Sequence, residues 1–145
     1  DLVGRKLASN GGRAIFTFFA EIDDFASEYG DVAELAPFLD GLKTAKGQLQ
    51  EGTTWLMQNA MTNFNNAGAA STDYLQLFGL TAFGYMWAMM AKTALDHADS
   101  GDPFYANKLK TARYFFERVL PETSAHLAKV KTGSEAMMAL EPEAF

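Results

Sequence analysis

The aliphatic residues of this chain are almost all of the kind that favours helices. Among its 145 residues, 23 are Ala, 15 are Leu and 7 are Met, whereas Val and Ile together number 6. Ala, Leu and Met have high helix propensity, and the β-branched Val and Ile are the aliphatic residues that populate strands. We therefore predict an all-α fold.

The overall composition excludes several classes of protein. A hydrophobic fraction of 48% with 21% charged residues rules out disorder, and the length predicts one domain. The sequence contains no cysteine, so disulfide scaffolds, thiol nucleophiles and zinc–thiolate sites are excluded. Without a secretory pattern, we expect a cytoplasmic protein. A net charge of −6 argues against nucleic acid as a partner and disfavours a membrane.

Apolar residues recur at helical spacing in four long segments, in addition to a helical end at residues 1–7. The four segments span about 13–29, 35–63, the stretch from a break at 65–68 to about 98, and 103–131. Pro121 lies inside the last segment and should kink or restart that helix. Long helices with short connections predict an up-down-up-down antiparallel four-helix bundle with a kinked last helix.

The apolar faces of these helices predict the core. We expect the following side chains to be largely buried: Phe18, Ile22, Leu42, Leu49, Leu56, Leu80, Tyr85, Trp87, Phe116 and Leu127. The second helix also contains Gly41, Gly47 and Gly52, each of which costs about 1 kcal/mol relative to Ala. Three glycines in one helix indicate either close approach by a neighbouring helix or weak local helicity.

Residues 74–91 carry no charge. Eighteen residues are the short limit of a membrane span, and two glycines, Gln76 and Thr81 reduce the apolar character of this one. A central bundle helix surrounded by neighbours is also apolar on all sides. We favour the central helix.

No catalytic, cofactor-binding or metal-binding residue is assigned from the pattern of polar residues. His97 and His126 are the only histidines, and neither belongs to the Glu-x-x-His pairs of di-iron bundles. Glu122 and His126, four residues apart, are interpreted as a surface pair. A metal site and a nucleophile–His–acid arrangement are both improbable on this pattern.

Charged and aromatic residues are unevenly distributed. Six of the 12 basic residues lie in the last 44 positions, and the segment 21–34 is acidic. These segments are interpreted as solvated helix faces first, and as complementary docking surfaces second. Tyr114, Phe115 and Phe116 are consecutive, so one aromatic side chain must be exposed unless a second surface covers it. This pattern favours a domain that packs against another.

Four strings of the sequence converge on one family: DLVGRKL at 1–7, FGYMWAMMAK at 83–92, ARYFFERVLPET at 112–123 and MALEPEAF at 138–145. The sequence resembles the C-terminal region of large bacterial acyl-CoA dehydrogenases, in the branch that includes enzymes acting on 3-methylmercaptopropionyl-CoA. The resemblance implies that residues 1–8 end a helix of the catalytic region and that residues 9–145 form an accessory helical domain. Asp1 in place of an initiating Met agrees with a piece of a longer protein.

The resemblance also implies the chemistry of the parent enzyme. Enzymes of the family use FAD to dehydrogenate an acyl-CoA thioester between its α and β carbons, with a carboxylate as the base. That base belongs to a Glu-Gly-Thr string expected just before DLVGRKL, so this piece would itself bind no cofactor. Its implied partners are its own upstream catalytic domains, a second copy in a homodimer, and the parent's acyl-CoA.

Glu51-Gly52-Thr53 repeats the letters of the family's catalytic string at a different place. It lies 44 residues after Leu7, in the middle of the second predicted helix. Thr53 falls on the apolar face, so Glu51 points about 200° away from it. We expect Glu51 to be an exposed acid and not the base.

Two other functions are consistent with the same pattern. The first is a free-standing helical module that binds a partner helix in an apolar groove. The second is a bundle enzyme or ligand carrier with a cavity near Trp55 and Trp87.

Overall fold

The computed structural model describes residues 1–7 and 9–144, which contain helices and turns and no strand. The helices are α1 (Arg13–Glu28), α2 (Ala36–Asn59), α3 (Phe64–Asp96), α4 (Pro103–Tyr114) and α5 (Thr123–Lys131). A wide helical turn at Leu2–Lys6 precedes α1. The all-α class predicted from the aliphatic composition is confirmed.

Helices α2 and α3 run antiparallel and pack along most of their length. The Thr53 hydroxyl lies 2.7 Å from the Tyr74 hydroxyl, and about two helical turns further along the Thr81 hydroxyl donates to the carbonyl of Ala45. α1 lies on α2, where the Lys46 ammonium binds the Asp23 carboxylate at 2.7 Å. α4 and α5 lie on α3. The complete up-down-up-down bundle stays a prediction.

The connection between α2 and α3 is earlier than predicted. The break expected at 65–68 is wrong, because these residues already belong to α3. Asn63 is the N-cap, and its side chain accepts a hydrogen bond from the backbone N–H of Asn65 at 3.0 Å. An asparagine cap satisfies a first-turn N–H and so defines where the helix begins. Gly68 is tolerated inside the helix.

The last helix is interrupted where Pro121 predicts. After α4, the chain forms a wide turn at Phe115–Val119, closed by a bond from the Leu120 N–H to the Phe115 carbonyl. A tight turn at Leu120–Glu122 holds Pro121, and α5 follows. Phe115 then stacks on Trp87 of α3, whereas Phe116 contacts Phe38 of α2.

The core is divided into two apolar clusters, one around Leu49 and Tyr74 and one around Leu39 and Leu42. Of the ten side chains predicted to be buried, four are fully so: Ile22, Leu42, Leu49 and Leu56. The other six are half-buried: Phe18, Leu80, Tyr85, Trp87, Phe116 and Leu127. Instead, α3 places small residues in the core, namely Ala67, Ala70, Ala88, Ala91 and Ala94. Small side chains let the neighbouring helices approach, and Tyr74 and Leu77 are the large side chains of α3 that are fully buried.

Candidate functional site

One side of α3 is apolar and has no neighbour. Leu75, Phe83 and Met86 are 53%, 62% and 53% exposed, and the space beside Gly79 is open. We call Leu75, Gly79, Phe83 and Met86 the α3 face, because steps of three and four residues place them on one side of a helix. The expectation that neighbours surround the uncharged stretch is therefore corrected: a strip of it is uncovered.

The other sides of α3 are covered by three neighbours. Towards α1, Phe78 stacks on Phe18 with ring centroids 5.4 Å apart. Towards α2, Tyr74 meets Thr53. Towards the last helix, the Trp87 ring stacks on Phe115 at 6.1 Å. In residues 1–7 and 9–144, no helix has the length and apolarity needed to cross a bilayer.

An acidic groove separates α1 from α3. Glu21, Asp24 and Glu28 line it beside Tyr85 and Met89 of α3. Burial, followed by the charges of Glu21 and Asp24, raises the pKa of the Tyr85 phenol. We call Glu21, Asp24 and Glu28 the acidic rim of the α3 face.

One cation and one further carboxylate lie at the end of this groove. The Lys92 ammonium binds Asp96 at 2.5 Å and lies 4.8 Å from the centre of the Tyr29 ring. These two charges offset each other, so the groove keeps the negative charge of the acidic rim.

Basic residues lie on the opposite side of the α3 face. The Lys108 ammonium is 5.5 Å from the centre of the Trp87 ring, and the Lys129 ammonium is 3.5 Å from the Asp73 carboxylate. The charge of Lys129 is offset by Asp73, so Lys108 supplies the net positive charge of this side, and we call Lys108 the basic rim. The acidic segment of α1 and the basic residues of the last helix therefore flank α3 on opposite sides and do not dock on one another.

His126 belongs to this basic side, and its predicted partner is wrong. Its Nδ1 lies 2.8 Å from an Asp73 carboxylate oxygen, and both side chains are largely shielded from solvent. The expected surface pair with Glu122 is absent from the ion pairs of the described residues. Helical spacing suggested only Glu122, whereas Asp73 reaches His126 from the neighbouring helix α3.

A small apolar cavity lies at the turn between α2 and α3. It has a volume of about 200 Å³, and its lining includes Val3 and Leu7 of the first turn and Leu56 of α2. Met61 and Phe64 stand at its mouth, 89% and 77% exposed. Two of the exposed apolar side chains of the described residues, Met61 and Phe64, therefore lie beside residues 1–7.

Glu51 of the repeated Glu-Gly-Thr string lies at the surface of α2. Glu51 is half exposed and forms an ion pair with Lys131, whereas Thr53 two residues later is buried. This places Glu51 on the solvent side, as the helical spacing predicts. No three His, Asp or Glu side chains in this part of the chain are grouped to hold a metal ion.

Neither the apolar cavity nor the groove beside α1 fits FAD. The apolar cavity is smaller than the roughly 300–1,000 Å³ of typical small-molecule pockets, and its lining offers no cation for a diphosphate. The groove beside α1 is larger, but its carboxylates would repel the same diphosphate. Trp87 packs on Phe115, and the depressions beside Trp55 are open and lined by polar residues.

Comparison with known proteins agrees with the resemblance in the four strings. The family described as acetyl-CoA dehydrogenase C-terminal like matches residues 18–141. A 3-methylmercaptopropionyl-CoA dehydrogenase from Ruegeria pomeroyi is 29% identical over 143 residues. That alignment covers 95% of this chain and 24% of the relative, so the chain spans about a quarter of the relative's length. The chain belongs to the family of acetyl-CoA dehydrogenase C-terminal-like domains.

Proposed function

We propose that this chain is the non-catalytic C-terminal domain of an FAD-dependent acyl-CoA dehydrogenase of the cytoplasm. In this proposal, residues 1–8 end a helix of the catalytic region, and residues 9–145 form the accessory domain. The domain, an up-down-up-down bundle, packs on the catalytic core and supports its homodimer. The match to the dehydrogenase family and the small share of the relative that the chain covers both support this proposal.

The apolar cavity beside residues 1–7 is the observation that carries the proposal. Val3 and Leu7 are buried against the domain, so the first turn is fastened to it. Met61 and Phe64, by contrast, present large apolar surfaces to solvent directly beside that turn. Exposed apolar patches of this kind mark contact with another protein surface. In this proposal, the surface that covers Met61 and Phe64 is the catalytic core.

The parent reaction would proceed on residues outside this chain. FAD supplies the hydride acceptor in that enzyme, and the parent's base removes the α proton of the acyl-CoA. The residues of this domain contribute by burying the apolar side chains at its contact with the core. Their role is to hold the catalytic region in its folded arrangement.

The test uses the full-length enzyme. Met61→Ser and Phe64→Ser together should lower its melting temperature and accelerate loss of flavin, because the contact with the core loses apolar area. Met137→Ser is the matched control, since this side chain is 68% exposed away from the cavity. Equal effects of the two changes, or a natural product no longer than these 145 residues, would overturn the proposal.

A free-standing interaction module is the second candidate, and the uncovered α3 face favours it. It requires an apolar partner helix in that position and no flavin enzyme encoded upstream. The coding sequence before Asp1 therefore decides between the two candidates.

A further inference from the structure

The α3 face is part of a longer strip without charge. Residues on the same side of α3 run from Gly68 to Thr93, and none of them is ionisable. At 1.5 Å per residue the strip is about 37 Å long. A helix side of this length that faces water is unusual in a monomer.

The strip and its rims together are large enough for a stable dimer. Neighbouring helices lie about 8–10 Å apart, so the strip together with half of each flanking helix is at most roughly 16–20 Å wide. The product is roughly 600–740 Å² per copy, in the lower part of the range around the ~800 Å² per partner of a standard interface. The strip alone would supply about half of that area.

The two rims have opposite charge. The acidic rim lines one side of α3 next to Tyr85 and Met89. On the other side, Lys108 lies at the level of Trp87, whereas the charge of Lys129, further along, is offset by Asp73. Arg118 and Glu122, exposed between the two lysines along the chain, offset each other. A surface that is apolar in the middle, negative on one side and positive on the other is complementary to itself.

We propose that two copies of this chain pair through the α3 face, with their α3 helices parallel. A two-fold axis parallel to α3 places the acidic-rim side of one copy opposite the basic-rim side of its partner. Each residue keeps its position along the direction of α3. The axis therefore brings Lys108 of one copy opposite the acidic rim of its partner. An antiparallel pairing would place acidic rim against acidic rim. The inference specifies the surface of the homodimer and rests on that part of the proposed function.

The 145-residue chain itself provides the first test, by sedimentation equilibrium over a concentration series. We expect a reversible dimer that Phe83→Ser weakens by about tenfold or more, since this ring is central to the interface. Met137→Ser is the control and should leave the dissociation constant within about twofold, because it removes an exposed apolar side chain outside the α3 face. A wild-type chain that stays monomeric, or equal effects of the two changes, would overturn the proposal.

Charge reversal tests the pairing of the rims. Glu21→Lys with Asp24→Lys, and separately Lys108→Glu, should each weaken self-association by about tenfold. An equimolar mixture of the two variants should recover it, because each reversed rim then meets an opposite charge in its partner. Circular dichroism checks that both variants remain helical. No recovery on mixing would contradict the rim pairing.

The absence of cysteine permits a direct test of direction. In a parallel pair, each position faces the same position of the partner. Leu75→Cys alone and Met86→Cys alone should therefore each form a disulfide-linked dimer. If a disulfide forms only when the two variants are mixed, the helices are antiparallel and the proposal is wrong. A monomeric wild-type chain would leave the contact with the catalytic region unaffected, because that contact is measured in the full-length enzyme.

Discussion

Tyr74 of α3 and Thr53 of α2 form a hydroxyl pair in the centre of the molecule. Their oxygens are 2.7 Å apart, and Thr53 donates its proton to the Leu49 carbonyl at 2.7 Å. The phenol must therefore donate to Thr53. Both side chains are shielded from water, so the chain of two hydrogen bonds determines the register of α2 against α3.

Ionisation of this phenol should destabilise the fold at high pH. Burial raises the pKa of Tyr74 from 10.0 to about 12. The unfolded chain loses the phenol proton near pH 10 while the folded chain retains it, so stability is complete below pH 10 and falls as pH rises towards 12. The loss should approach about 2–3 kcal/mol.

Denaturant unfolding between pH 8 and pH 12 measures this loss. Tyr74→Phe should show a shallower decline than the wild type, and Tyr114→Phe, whose ring is exposed, should match the wild type. Identical pH profiles for all three proteins would mean that water reaches the Tyr74 hydroxyl.

Two glycines of α2 should respond oppositely to alanine. A Cβ at Gly41 would lie 2.7 Å from Cδ1 of Phe116, whereas a Cβ at Gly47 meets nothing within 4 Å. Gly47→Ala should therefore stabilise the protein by about 1 kcal/mol through helix propensity. Gly41→Ala should destabilise it by about 1–3 kcal/mol, since Phe116 must move. Thermal unfolding of the two variants compares them, and a gain from Gly41→Ala would show that Phe116 moves at no cost.

Truncation of Leu49 should be among the costliest changes in α2. This side chain is fully buried in the cluster around Tyr74. Leu49→Ala should lower the free energy of unfolding by about 2–5 kcal/mol. Leu140→Ala, at a position 60% exposed, should change it by less than about 0.5 kcal/mol. If urea unfolding found no difference, the buried side of α2 would be wrongly assigned.

A double-mutant cycle should distinguish the two candidate partners of His126. Asp73→Asn combined with His126→Ala should reveal a coupling of about 1 kcal/mol, because the pair is largely shielded from solvent. Glu122→Gln with His126→Ala should reveal none. Coupling to Glu122 alone would contradict the observed contact.

Glu51 should be dispensable for the parent reaction. The carboxylate is half exposed and paired with Lys131, which is the environment of a surface ion pair. Glu51→Gln in the intact enzyme should therefore leave turnover within about twofold. The isolated chain should purify colourless, bind no FAD and oxidise no acyl-CoA. A yellow, active chain, or loss of turnover in a folded Glu51→Gln enzyme, would restore Glu51 as a candidate base.

The sequence predicted the helical class because composition and spacing report on local conformation. The periodic segments match α1, α2, α3 and the interrupted last helix to within a few residues. The start of α3 was misplaced because Asn65, Asn66 and Gly68 look like a loop, whereas a single cap at Asn63 decides where the helix begins.

Contacts between helices were harder to predict from the sequence. The spacing of Glu122 and His126 is local information, but Asp73 lies 53 residues before His126 and only the fold brings them together. For the same reason, an uncharged stretch predicts an apolar helix without predicting which side stays uncovered. Glu51 was placed correctly because its position relative to Thr53 depends on helical spacing alone.

The interruption of the last helix leaves the buried side of α5 in line with the buried side of α4. A wide turn rotates the chain by less per residue than an α-helix, and the tight turn after it rotates the chain by more. The two deviations occur back to back, at Phe115–Val119 and Leu120–Glu122, so they nearly cancel. Ala112 and Val130 lie five α-helical turns apart in residue count, and both are completely buried. The chain thus accommodates a proline without rotating α5 relative to α4, and deletion of one residue from the wide turn would rotate the apolar stripe of α5 by about 100° out of the core.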